Sequence, residues 1–249
     1  QKPEFIRPFY ATVQLVMAGN ETEGLRYGVI ETPEKYYLRW KEADTLPAAG
    51  ENPLLQELGQ LCGKDRMLAI VHDFMVFDAG IKKACRHHQH FGVLAARESV
   101  KRREGGIIWH TQGSGKTLVM IWLAKWIREH LSDARVLLIT DRTELDEQIE
   151  TRFKGVNEAI YRTSSGADLV GVLNASEERL ICSLIHKFGA GEELSDKDVE
   201  EYVEDIKKSL PKGFSAKGEF FVFVDECHRS QSGKLHQAMK ALLPGAMLI

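Results

Sequence analysis

Cysteine is scarce in this chain: Cys62, Cys85, Cys182 and Cys227 are the four among 249 residues, and no two are spaced to grip a metal ion together. That usage excludes a disulfide framework and a structural zinc module, and reads as reduced thiols of a cytosolic protein. An excess of basic charge is also missing. The 33 lysines and arginines against 36 aspartates and glutamates leave a formal net charge of −3. This excludes a surface built for indiscriminate nucleic-acid binding, while local basic patches and backbone contacts stay open to it. No apolar run is long enough to cross a bilayer and no signal pattern opens the sequence, so neither membrane insertion nor export is indicated. Apolar residues, in contrast, make up 43% of the chain. At this length they can build one large or two modest domains with buried cores.

The most informative segment is Gly105-Gly106-Ile107-Ile108-Trp109-His110-Thr111-Gln112-Gly113-Ser114-Gly115-Lys116-Thr117. It reads as an apolar strand, Gly106 to His110, entering a glycine-rich turn and then a helix from Thr117 to His130. Such a loop binds phosphate because Gly113 and Gly115 let the backbone approach and aim N–H groups at it, where a helix N-terminus adds positive potential. Thr111, Gln112 and Ser114 complete the cradle, Lys116 faces the β- and γ-phosphates of a nucleoside triphosphate, and the Thr117 hydroxyl is placed for Mg2+. His110 stands where the general pattern G-x-x-x-x-G-K-[ST] has its first glycine.

A second segment supports the first. Phe220 to Val224 is a continuous apolar run, as expected of a strand buried on both faces, and it delivers Asp225-Glu226-Cys227-His228 to its C-terminal end. Ligands of parallel α/β sheets bind at that end. Asp225 suits the second magnesium contact, and Glu226 suits the group that orients or deprotonates an attacking water.

Together, Trp109-His110-Thr111-Gln112-Gly113-Ser114-Gly115-Lys116-Thr117 and Asp225-Glu226-Cys227-His228-Arg229-Ser230-Gln231 resemble the restriction (R) subunit of type I restriction-modification enzymes, a superfamily 2 translocase. The family pattern includes a histidine at the position of His110. The resemblance extends to Thr140-Asp141-Arg142, similar to a motif that touches nucleic-acid backbone, and to Ser183 through Phe188, with Lys187 on the DNA side. Arg86 to Phe91 resembles the adenine-recognising segment, with Arg86 and Gln89 as nucleotide contacts. The family likeness further implies a coupling or DNA-side role for His228, Arg229 and Gln231. It implies a holoenzyme with modification and specificity subunits that uses ATP to pull double-stranded DNA and cuts away from the recognition site. Another superfamily 2 translocase, such as a type III restriction subunit or repair helicase, is the alternative within the class. A nucleotide-clamped assembly module without turnover is the alternative outside it.

The expected fold is α/β: a RecA-like P-loop domain with a parallel sheet, incomplete at its C-terminus, preceded by the last strands of a PD-(D/E)xK-type nuclease domain. Residues 1–45 are the expected tail of that nuclease, with strands from Phe9 to Val16 and Tyr27 to Ile30 around a turn from Ala18 to Gly24. Residues 46–60 form the linker, marked by Pro47, Gly50 and Pro53, with a helix beginning near Leu54. Residues 61–249 form the motor, with further strands at Val136 to Thr140 and Leu180 to Leu184, and a helix from Glu144 to Phe153. No Asp followed by Glu-x-Lys on an adjacent strand occurs. The nuclease carboxylates are therefore expected before residue 1, and the second RecA-like domain with its arginines after residue 249, so this stretch should bind nucleotide far better than it hydrolyses it.

Other features read more plainly. Cys85, His87, His88 and His90 have ligand chemistry without a structural zinc spacing. Trp122 and Trp126, interleaved with aliphatic residues, are core rather than base-stacking platforms. Glu192 to Lys208 reads as an exposed surface helix whose Val199, Tyr202, Val203 and Ile206 recur at three- and four-residue steps.

Overall fold

A computed structural model describes residues 12–42, 52–78, 80–111, 113–140, 149–151, 153–155, 158–184, 196–224, 239–240 and 242–249. The chain divides into two compact units, Gln1–Leu94 and Ala95–Ile249.

The first unit opens on an antiparallel hairpin, β1 (Val16–Asn20) and β2 (Gly24–Gly28), in which Asn20 pairs with Gly24. The strands therefore lie further into the expected turn than the apolar pattern suggests, and residues 9–11 are outside those described. The cause is local. Asn20 Oδ1 accepts from Thr22 N–H (3.0 Å) and Glu23 N–H (2.7 Å), closing a tight turn over Glu21 to Glu23. Gly24 follows with φ +77, and a Cβ there would stand 2.5 Å from Glu57 Oε2.

Glu57 belongs to helix α1 (Pro53–Cys62), which Asn52 caps by accepting from Leu54 N–H, with Pro53 at its first position. The Glu57 carboxylate is buried. It accepts from Leu25 N–H (2.5 Å) and pairs with Arg39 Nη2 at 2.6 Å, joining helix to hairpin. Helix α2 (Lys64–Asp73) leads into a second hairpin, β3 (Met75–Asp78) and β4 (Ile81–Ala84). Leu25, Tyr27, Trp40, Leu61, Ile70, Phe74 and Cys85 are the buried centre of this unit. Helix α3 (His87–Arg102) begins in it and runs through the division.

The second unit is a five-stranded parallel sheet with strand order β6-β7-β5-β8-β9. Its strands are β5 (Ala134–Thr140), β6 (Tyr161–Arg162), β7 (Leu180–Leu184), β8 (Glu219–Val224) and β9 (Met247–Leu248). All seven residues of β5 are buried, as a central strand covered on both faces requires. Helices α4 (Lys116–His130), α5 (Gly166–Asn174) and α6 (Asp196–Ser209) cover the sheet together with helical residues 149–151, 153–155 and 239–240. The expected α/β fold with a parallel sheet is therefore present. Of the expected helix from Glu144 to Phe153, residues 144–148 and 152 lie outside the described residues.

Two further expectations change, and one region unassigned from the sequence takes shape. Residues 104–111 carry no regular structure, although Gly106 to His110 read as a strand. Gly106 N–H donates to Leu248 O (3.1 Å), and β9 is only two residues long, so the ladder has little to run along. Ile107 and Trp109 remain exposed. The region from Tyr161 to Asn174, not assigned from the sequence, forms β6 and α5. Finally, α6 is more than a surface helix. Ile206 is buried in the core with Leu169, Val170 and Leu173 of α5, and Asp205 Oδ2 accepts from Gly166 N–H (2.9 Å) at the start of α5. The side chains of Val199, Tyr202 and Val203 lie outside the described residues.

Candidate functional site

Helix α4 starts from glycine. Gly115, its N-cap, has φ +87 and ψ +38, and Gly113 has φ +75, a region that side chains with a Cβ rarely occupy. A Cβ at Gly113 would meet nothing within 4 Å, so the left-handed backbone alone demands glycine there. Ser114 N–H donates to Thr111 O (3.2 Å) and Leu118 N–H to Gly115 O (3.0 Å), which turns the loop into the helix. A glycine N-cap has no side chain to cap the helix. Lys116 and Thr117 are the first two helical residues, Lys116 half-buried and Thr117 buried. This is the conformation an anion-binding helix start needs, and the residues present fit a polyphosphate with its cation. Gln112 lies outside the described residues.

The sheet places this loop at a definite edge. Helix α4 ends at His130 and β5 begins at Ala134 after a three-residue connection, with Ala134 N–H donating to Leu131 O (3.2 Å). So short a link makes the packed helix run antiparallel to the strand. A 15-residue helix and a seven-residue strand are each roughly 20 Å long. The start of α4 therefore returns to the C-terminal end of β5, where Thr140 is buried and its hydroxyl has no partner among the described residues. In the parallel register Thr140 faces Leu184 of β7 and Ile139 faces Val224 of β8, so three adjacent strands end at this edge. Asp225, Glu226, His228, Arg229 and Gln231, which follow β8, lie outside the described residues, as do Asp141, Arg142 and Lys187.

The expected adenine-side residues sit in the first unit. Arg86 is exposed, whereas Gln89 is buried and its Oε1 accepts from Arg86 N–H at 2.8 Å. Gln89 is thus the third residue of α3 bonding back to the N-cap, one half of a capping box. Desolvation first, and His88 and Lys41 after it, draw the His87 pKa down, against a backbone hydrogen bond to Arg39. Burial pushes the Cys85 thiol up to about 12. Among the described residues no three His, Cys, Asp or Glu side chains gather to hold a metal ion.

Trp122 and Trp126 are buried, as their aliphatic neighbours suggested, and Trp126 stacks on His130 with ring centroids 4.6 Å apart. Two residues with positioning roles escaped the sequence reading. Arg135, 3% exposed, donates to the carbonyls of Glu178, Ala175, Lys217, Val172 and Leu173, and lies 4.7 Å over the Phe220 ring. Arg179 donates to the carbonyls of Arg128 and Leu131 at the end of α4 and of Ala134 at the start of β5. A lone arginine in the apolar run from Ala134 to Thr140 was the signal available for the first.

Residues 88–249 match the family described as SWI2/SNF2 ATPase. The chain is also similar to endonuclease subunits of type I restriction enzymes. It is 27% identical to the HindI subunit of Haemophilus influenzae over 85% of this chain and 21% of that protein. It is 27% identical to the putative MjaIXP subunit of Methanocaldococcus jannaschii over 75% and 18%. It is 31% identical to the SauCOLORF180P subunit of Staphylococcus aureus over 64% and 16%. The resemblance to R subunits drawn from the two motifs is borne out, and the chain spans about a fifth of the length of these curated relatives. No helix among the described residues is long and apolar enough to cross a membrane.

Proposed function

This chain belongs to the SWI2/SNF2 ATPase family, and from that premise we propose that it is the ATP-driven motor portion of a type I restriction enzyme endonuclease subunit, acting on double-stranded DNA in the cytoplasm. The observation that carries the reading is the left-handed Gly113 and Gly115 pair opening α4 at the edge where β5, β7 and β8 end. In it the N–H groups of Gly113 to Thr117 receive the phosphates and Lys116 adds a point charge at the β- and γ-oxygens. The Thr117 hydroxyl and Asp225 would hold a magnesium ion, which would neutralise the charge on those oxygens. Glu226 orients a water and takes its proton as the oxygen attacks the γ-phosphorus. The bond to the bridging oxygen breaks, and ADP and phosphate leave.

Thr140, Asp141, Arg142, Lys187, His228, Arg229 and Gln231 are assigned to the DNA and coupling side, in line with the R-subunit likeness. The division into a nuclease tail at 1–45, a linker at 46–60 and a motor at 61–249 belongs to the same proposal. So does assembly with modification and specificity subunits, since the relatives are named as subunits of type I restriction enzymes.

DNA-stimulated ATPase of the complete subunit tests the site. Lys116→Ala is expected to weaken ATP binding or abolish turnover. Glu226→Gln is expected to keep ATP binding while turnover falls by at least about a hundredfold. Parental binding and turnover in Lys116→Ala would refute the phosphate assignment, and a parental rate in Glu226→Gln would refute the base.

A further inference from the structure

The two faces of β5 are covered by different helices. Leu137 and Ile139 belong to the core cluster built with Leu169 and Val170 of α5 and Ile206 of α6, and Arg135 donates to the Val172 and Leu173 carbonyls of α5 on the same side. Side chains alternate along a strand, so Val136, Leu138 and Thr140 point to the other face. Helix α4 packs against β5, and among the described residues none of its side chains belongs to that cluster. It is therefore α4 that covers the face of Thr140. Thr140 is the last residue of β5, at the end to which the start of α4 returns.

The neighbours of Thr140 on this face are apolar. Leu184 of β7 pairs with it, and Leu138 two residues earlier pairs with Cys182 of β7 and Phe223 of β8, all of them buried. Thr140 is itself 1% exposed, and its hydroxyl has no partner among the described residues. A side chain so enclosed has no surface to offer a duplex. A buried hydroxyl without a hydrogen bond is destabilising, and native structures keep few of them. What this one faces is the glycine-capped start of α4, where backbone N–H groups are left open to an anion. We propose that Thr140 is a further contact of the phosphate site, its hydroxyl donating from the sheet to the anion held at the start of α4. The proposal rests on the nucleotide-binding reading above and deepens it, and it moves Thr140 from the DNA side, where the R-subunit likeness put it, to the nucleotide side.

Thr140→Val keeps the branched shape and removes the hydroxyl, whereas Thr140→Ser keeps the hydroxyl and removes the methyl group. A hydroxyl that only a ligand satisfies makes the valine variant respond with opposite sign in the empty and the occupied protein. The experiment measures thermal unfolding of the chain without and with ATP and magnesium, and the dissociation constants of ATP and of duplex DNA, for the parent, the two Thr140 variants and Lys116→Ala.

Without nucleotide, Thr140→Val is expected to melt about 2–4 °C above the parent, because an unbonded hydroxyl has left the core. With ATP and magnesium its gain in melting temperature should be smaller than the parent's, and its dissociation constant for ATP about tenfold higher. Thr140→Ser should restore most of that affinity, since serine offers the same donor. Duplex affinity should be equal in all three. A Thr140→Val variant with the parent's ATP constant and the parent's ATP-induced gain would overturn the proposal. So would one that melts below the parent without nucleotide, which would show that the hydroxyl already has a protein partner, or one that loses duplex affinity with ATP binding intact. If Lys116→Ala binds ATP as the parent does, the phosphate reading itself fails and takes the role of Thr140 with it. If Lys116→Ala loses ATP while Thr140→Val keeps it, that reading stands and the role of Thr140 alone is refuted.

Discussion

Arg135→Met is the perturbation whose size the structure allows to be worked out. Methionine keeps an unbranched apolar stem and removes the guanidinium. The parent side chain donates to five carbonyls, at 2.7 Å to Ala175, 2.8 Å to Val172, Glu178 and Lys217, and 3.2 Å to Leu173. A hydrogen bond from a charged donor contributes about 1.5–3 kcal/mol net, so five of them set an upper limit near 8–15 kcal/mol that the substitution cannot reach, for two reasons. Four of the five bonds are part-buried, so water can replace the lost donor at those carbonyls. The parent also holds a desolvated cation, whose pKa burial draws down against the opposing field of Glu178, and methionine is spared that cost.

What remains is the Leu173 carbonyl, which keeps only its bond from Lys217 N–H (3.1 Å), the 4.7 Å contact with the Phe220 ring and the loss of a shared anchor for α5, the loop after it and the approach to β8. A destabilisation of about 3 kcal/mol follows. Urea unfolding followed by far-UV circular dichroism would show it as a lower midpoint with an unchanged slope. Arg135→Lys should recover little, because one ammonium cannot reach carbonyls spread around a planar fork. Arg135 is the second residue of β5 and Thr140 the last, roughly 16 Å apart along the strand. Nucleotide affinity of the folded variant should therefore stay parental. A midpoint within about 0.5 kcal/mol of the parent would refute the reasoning.

Two further substitutions test neighbouring points. Gly218 has φ +91, and a Cβ there would stand 2.8 Å from Arg135 Cδ, so Gly218→Ala should cost about 2 kcal/mol. Part of that cost should vanish in the double variant with Arg135→Met, and additive effects in the double-mutant cycle would count against the clash. His87 ties stability to pH. Its folded-state pKa lies below the ordinary value of 6.5, so its contribution is complete above that value and is lost as pH falls through the lowered one. Melting curves at pH 5 and pH 7.5 should differ less in His87→Gln than in the parent, and an equal difference would exclude His87 as a source of acid sensitivity.

The parts of the fold that announce themselves in the sequence are those set by burial on both faces. β5, β7 and β8 are continuous apolar runs, and a central parallel strand has few other ways to be written. The glycines at 113 and 115 were legible because their left-handed conformation is a backbone requirement that the residue type itself records. β6 was hidden since two residues at a sheet edge carry no periodicity. α5 was hidden because Gly166 and Gly171 weaken its helical pattern, and Ser165 and Asp168, which accept and donate across its first turn, decide the start instead. The offset of the first hairpin came from Asn20, a side-chain effect that apolar patterning does not register. Gln89 shows the limit for site residues: its chemistry allows a base contact, but only tertiary burial tells which partner its carbonyl takes. Arg135 shows the converse, a charge in an apolar run that finds its partners in segments some 40 and 82 residues away.

The two ends of α4 are treated in opposite ways. At its last turn Arg179 holds the carbonyls of Arg128 and Leu131, and an arginine stays charged at every pH the protein can meet. At its first turn the cap is a glycine, which brings no side chain. The helix is thus like a battery with its negative pole permanently connected and its positive pole supplied with a socket. Whatever anion occupies the socket completes a circuit through the centre of the sheet, since α4 leads directly into β5. If the phosphate reading proposed above holds, occupancy would stabilise the same strand on which β7 and β8 pair, and the folding free energy of the second unit would become a gauge of that ligand.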